Sequence, residues 1–182
     1  MSQFRIFGIL VIITLGFVFS CKYPDIPKHL EIRDYLKLDY APYLRKSETI
    51  HPNAVISLQN KFRGVFYIVV PQNWSSDSGY VQYLFDSLGN DLKNVKKTAN
   101  GLKDPMVLRD TAYKNVNGYQ VQDILVTGTL SDRKMIFDMQ LIQKDTFLYQ
   151  TSGWCFMDKR DMWMKDIDAM NNSLTILDGK KN

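Results

Sequence analysis

The run Phe62-Arg63-Gly64-Val65-Phe66-Tyr67-Ile68-Val69-Val70 is apolar at both parities. Successive side chains of a strand point to opposite faces, so a half-solvated strand would alternate apolar with polar. A run apolar on both faces predicts a central strand covered above and below. The chain must therefore build a sheet with further layers packed against it. Pro71, which has no N–H to give the ladder, is expected to end this strand.

The other elements are arranged around that strand. Residues 54–59 read as a preceding strand, separated from it near Asn60-Lys61. After a polar loop over 72–78, Val81, Leu84, Phe85, Leu88, Leu92 and Val95 fall on one helical face, predicting a helix over 79–96. Ser78 or Asp77 is placed to cap it, and Gly89 costs it about 1 kcal/mol against Ala. Strands are expected at 105–113, 119–130, 134–143 and 146–156, with Asn117-Gly118 as a hairpin turn signal. A closing helix follows, with Asp158 as its cap and Trp163, Ile167, Met170 and Leu174 on its inner face. Short connections favour antiparallel neighbours. The fold class expected is α+β, an α/β/α sandwich with a mostly antiparallel central sheet and helices on opposite sides.

The N-terminal stretch says where such a domain works. Residues 1–5 carry Arg5, residues 6–19 are almost unbroken in their apolarity, and a small residue, Ser20, precedes Cys21. This is the pattern of a secretory signal peptide. The apolar run is short for a span, which needs roughly 20 apolar residues to cross about 30 Å of hydrocarbon. Val18-Phe19-Ser20-Cys21 resembles the lipobox of bacterial lipoproteins, of Bacteroidota type, in a loose form with Phe19 where Ala or Ser is commoner. The resemblance implies cleavage before Cys21 and lipidation of its thiol. An ordinary secreted protein with Cys21 beside the cut is the alternative. The retention signal of inner-membrane lipoproteins and an acidic surface-export run are both missing from Lys22-Tyr23-Pro24-Asp25, so the resemblance implies the periplasmic side of the outer membrane. The domain plan is a removed signal peptide at 1–20, a lipid-anchored tether at 21–52, a single domain at 53–177 and a tail at 178–182. Pro24, Pro27, Pro42 and Pro52 exclude a long helix from the tether, and its aromatics predict a docked extension near 36–44.

Phe147-Leu148-Tyr149-Gln150-Thr151-Ser152-Gly153-Trp154, a helix, and then Asn172-Ser173-Leu174 resemble the Mog1/PsbP-like fold, taken with the earlier strand, helix and Asn-Gly hairpin. In that family a Tyr-Gln strand and a Ser-Phe near the last helix recur; here Leu174 replaces the Phe. The likeness covers roughly residues 53–177 and is one of elements, carrying no catalytic motif. Members include a photosystem II subunit and a regulator of a small GTPase, so the fold implies little about function. A cystatin-like or nuclear-transport-factor-like α+β domain is the alternative.

The residues offer little chemistry. A formal net charge of +4, with no basic cluster larger than Lys96-Lys97 or Arg133-Lys134, argues against nucleic acid. With Cys21 lipidated, Cys155 is left without a disulfide partner, and its neighbours Trp154 and Phe156 favour a small buried core residue over a nucleophile. His29 and His51 have no spaced Cys or His neighbours, so no zinc site is expected, and no cofactor. Glu occurs only at 31 and 48, which leaves Asp for any carboxylate chemistry in the domain. Asp158, Asp161, Asp166 and Asp168 read as a charged helix face, with Asp161 and Lys165 as an i,i+4 pair, rather than as a calcium shell. Glycines are scattered, with neither a phosphate loop nor a nucleophile elbow.

Asp138, between Phe137 and Met139 in a strand, is the carboxylate of most interest: it faces a solvent-accessible groove, lies at a strand end, or pairs with Arg109 or Arg133. Trp154 and Trp163 are the other ligand-binding candidates. The expected function is a non-enzymatic envelope lipoprotein that binds another envelope protein as an accessory or assembly factor, with the membrane as its second partner. A module for an apolar or lipidic small ligand is the first alternative, and a hydrolase using Asp138 and Cys155 the second.

Overall fold

The computed structural model describes residues 26–32, 35–74, 102–116 and 118–177, with Ser87 in addition. A seven-stranded antiparallel sheet runs in the order β3 (Arg45–Lys46), β4 (Ile56–Asn60), β5 (Val65–Trp74), β9 (Phe147–Phe156), β8 (Arg133–Lys144), β7 (Tyr119–Leu130), β6 (Lys103–Val116). A second sheet has β2 (Leu36–Tyr40) between β1 (Lys28–Ile32) and β10 (Thr175–Ile176). Among the described residues one long helix, α1 (Arg160–Ser173), follows a 3-10 turn at Met157–Lys159. This is an α+β fold dominated by its sheet, in agreement with the expected class.

The both-parity run is indeed internal: β5 lies between β4 and β9. Tyr67 and Val69 enter the core under α1, while Phe66 and Ile68 are half-buried on the opposite face. Two expectations about its ends are corrected. Phe62 belongs to the turn and is 98% exposed; Gly64, at φ 68°, makes the reversal that lets the strand start at Val65. Pro71 does not end the strand. Pairing with β4 stops at Val69, so Pro71 lies where, among the described residues, that edge of β5 has no neighbour to receive an N–H. The ladder with β9 shifts by a bulge between Pro71 and Asn73 and continues to Trp74.

The core lies between one sheet face and a layer made of α1 and the small sheet. Leu36, Leu38, Leu44, Leu58, Tyr67, Ile167 and Met170 are fully buried there. Gly153 lets the helix close in: a Cβ at this position would stand 2.3 Å from Ile167 Cγ2. Ser173 Oγ fixes the end of α1 by accepting the Asp39 N–H at 3.1 Å, with the Asp39 and Met170 carbonyls at 3.0 and 2.9 Å. Tyr67 OH and Thr151 Oγ1 both donate to Asn171 Oδ1, at 2.9 and 3.1 Å, and so tie the helix to β5 and β9.

Three further expectations differ. The docked extension begins at Lys28 and includes all of β1, β2 and β3, since Leu30, Leu36 and Leu38 complete the core. Asp158 does not cap α1: the cap position is Lys159 and has no side-chain bond, because the 3-10 turn separates Asp158 from the helix. Asp161 is bonded by Arg160 Nε at 3.0 Å. The helix expected over 79–96 lies outside the described residues except for Ser87, which is helical.

Candidate functional site

The strand register separates the three ligand-binding candidates. Asp138 faces Gly153 and Leu125 across the ladders and points to the α1 side of the sheet, 1% exposed. Of the arrangements the sequence left open, pairing with Arg109 is observed, at 3.7 Å, while Asp138 is neither at a strand end nor exposed to a groove. Trp154 lies on the opposite face, stacked on Phe66 and Phe137 with centroids at 5.3 and 6.1 Å. Trp163 stands on α1 against Tyr43 at 5.1 Å, with the Arg63 guanidinium over both rings. Cys21 lies outside the described residues.

Asp138 is the centre of a charged group. Arg109 Nη2 reaches both Asp123 oxygens, at 3.2 and 3.1 Å, and Thr111 Oγ1 donates to the Asp123 carbonyl at 2.9 Å. As a carboxylate Asp138 accepts no hydrogen bond, and as a carboxylic acid it has the Asp123 and Asp168 carboxylates within reach as acceptors. Burial first, and the Asp123 carboxylate second, hold its carboxyl well above the usual range, against the opposing pull of Arg109. Beside this group is a cleft of about 270 Å³ between α1 and the sheet, lined by Arg109, Leu125, Ile136, Met164, Lys165 and Asp168 among others. Arg109 is engaged by carboxylates of the chain itself, so its charge is already balanced.

Cys155 does not join this group. Cys155 is fully buried on β9, and burial pushes its thiol up to about 11. His29 is bonded to Asp39 on the small sheet, and His51 accepts the Asn53 N–H in the loop before β4. Neither is positioned as a base for Cys155 or Asp138.

Sequence reasoning missed the feature that the structure makes most accessible. Among the described residues β6 forms the edge of the large sheet and pairs only with β7. Met106, Val107 and Leu108 are 60%, 39% and 44% exposed in succession. The pairing with β7 shifts register three times, between Lys103 and Met106, between Val107 and Arg109, and between Thr111 and Lys114. Bulges and charges are how exposed edges are kept from indiscriminate pairing. A Met-Val-Leu triplet was the available signal. It reads equally as an internal strand, because edge position is decided by strands far away in sequence.

Among solved structures, the chain is similar to cyanobacterial PsbP (CyanoP) from Synechocystis sp. PCC 6803, at 12% identity and TM-score 0.55. That match covers 86% of this chain and 96% of CyanoP. It is also similar to LpqN, involved in cell envelope biogenesis of Mycobacterium tuberculosis, at 9% identity and TM-score 0.56, covering 86% and 87% of the two chains. A Pseudomonas aeruginosa protein of unknown function, PA94, matches at 11% identity and TM-score 0.50, over 82% of this chain and 96% of its own. No protein-family model matches the chain, and no curated protein matches its sequence. At these identities the likeness is one of architecture, and it establishes a PsbP-like fold for this chain.

Proposed function

We propose that this chain is a lipid-anchored, non-enzymatic lipoprotein of the cell envelope whose domain binds another envelope protein through the β6 edge. One observation carries the reading: a 14-residue edge strand that presents Met106, Val107 and Leu108 to solvent. An exposed edge offers a row of backbone donors and acceptors to an added strand, and its side chains supply selectivity. The bulges limit that offer to a partner whose strand fits the irregular register. Anchoring rests on the lipobox-like Val18-Phe19-Ser20-Cys21. Among the described residues no helix is long and apolar enough to cross a membrane. The similarity to LpqN, an envelope-biogenesis protein, supports an envelope role, and the outer membrane facing the periplasm is the location favoured by the residues after Cys21.

Two experiments test the reading. Labelled fatty acid should enter the chain in cells and be lost in Cys21→Ala; labelling that persists in that variant defeats the anchor. In-cell cross-linking with mass spectrometry should capture one envelope protein at β6, with capture reduced about tenfold or more by Met106→Lys with Leu108→Lys. Unchanged capture in that variant, whose two side chains point outward, removes β6 from the interface.

A further inference from the structure

Three chain reversals meet at one end of the large sheet. Asn60 faces Val65, Leu130 faces Arg133, and Met135 faces Phe156, so the β4–β5 turn, the β7–β8 turn and the start of the 3-10 turn are neighbours. An open hollow of about 600 Å³ lies between them. Lys61, Arg133, Lys134 and Lys159 line it, against a single carboxylate, Asp158. Two further acids nearby are already paired, Asp132 with Lys103 at 3.7 Å and Asp161 with Arg160 at 3.0 Å. The hollow is therefore cationic.

Its apolar parts are equally specific. The Phe156 ring contributes to the lining and packs where a Cβ on Gly64 would stand, 2.1 Å from its edge. The Arg133 guanidinium lies over this ring, 4.2 Å from its centre. At the rim, Phe62 is 98% exposed beside Lys61. A fully exposed phenyl group contributes nothing to the core. Cations flanking a protruding aromatic suit the boundary between anionic headgroups and acyl chains, where each finds its own environment.

Lys28 opens β1 opposite Tyr40, whose neighbour Asp39 is bonded to Ser173 at the C-terminal end of α1, a helix of 14 residues and so about 20 Å long. Fully extended, the chain from Cys21 to Lys28 reaches at most about 25 Å. We propose that the end of the domain bearing the hollow docks on an anionic phospholipid bilayer, with Phe62 at the acyl boundary and Lys61, Arg133, Lys134 and Lys159 among the headgroup phosphates. The orientation rests on the anchor reading above; the affinity for anionic lipid does not.

The test places benzoylphenylalanine at position 62 of the full chain, bound to phosphatidylcholine vesicles with or without phosphatidylglycerol. Irradiation should give phospholipid adducts at position 62 on the anionic vesicles, and few on the neutral ones. Lys61→Gln and Arg133→Gln should each lower the yield about fivefold. The same photoreactive group at position 162, an exposed site on α1, should give none. No adduct at 62, or equal yields on both vesicles and in both variants, overturns the proposal. Adducts formed in cells with an acidic protein and never with lipid overturn it as well. Fatty-acid labelling of the same preparation separates the two readings. A labelled chain without adducts sinks the docking surface alone, and an unlabelled chain with adducts sinks the anchor alone.

Discussion

Two polar groups occupy the same face of the same sheet, and they are built in opposite ways. At Asn171 the members are neutral: one amide oxygen takes two hydroxyl protons, from Tyr67 and Thr151. At Asp138 the members are ionisable, and the central group accepts no hydrogen bond as a carboxylate, although Arg109 stands 3.7 Å away, and can donate one to Asp123 or Asp168 only when protonated. A neutral hydrogen bond in a buried site survives any change of pH within the folded range. A buried carboxylate titrates instead, because the charge has lost its water and gained too little in return. The first group is thus a mechanical clamp on α1, and the second makes the β7–β8 half of the domain sensitive to protons.

The largest effect should come from breaking the clamp. Asn171→Ala removes the acceptor that two buried hydroxyls share and is expected to cost about 2–4 kcal/mol in urea unfolding. A loss below about 1 kcal/mol would mean that α1 is held by packing alone. Next is Gly153→Ala, which sits between the two groups and pushes against Ile167. It should cost about 1–3 kcal/mol, and much of that loss should be recovered relative to Ile167→Ala when the two changes are combined. Additive losses would refute the close approach as the cause.

The smaller effect belongs to the charged group and is read from pH. The folded-state pKa of Asp138 lies above its unfolded value of about 3.9. Its contribution to stability is therefore full below about pH 3.9 and is lost as the pH rises through the raised pKa. Asp138→Asn should remove this fall and flatten the stability profile on the order of 1 kcal/mol between acid and mildly alkaline pH. A profile identical to that of the parent chain would show that the carboxylate is already stabilised by Arg109. The comparison would then lose its basis.

Much of the architecture was legible because it depends on local pattern. Residues 119–130 were bounded as observed for β7, since Asn117-Gly118 marks one end and Ser131-Asp132-Arg133 the other. Trp163, Ile167, Met170 and Leu174 fall on one side of the closing helix, of which Ile167 and Met170 are fully buried. The errors fell where a distant neighbour decides. Pro71 is tolerated because β4 stops short of it, and Phe62 leaves the strand because Gly64 turns the chain. Asp138 was visible as an acid among apolar residues, with Arg109 among its possible partners. Its burial was not visible, because that depends on Gly153 and α1 lying above it.

By itself, then, the sequence determined the alternation of strands and helices, the thiol left in the core, and the lipobox-like stretch that ends at Cys21. These follow from spacing within a few residues, which is the range over which pleat, helical turn and signal motifs operate. Only the tertiary structure decided that β6 is an edge, that Asp138 shares Arg109 with Asp123, and that three turns gather four cations around Phe156. The physical reason is that sheet order and turn clustering are set by contacts between residues far apart in the chain, where local propensity has no say.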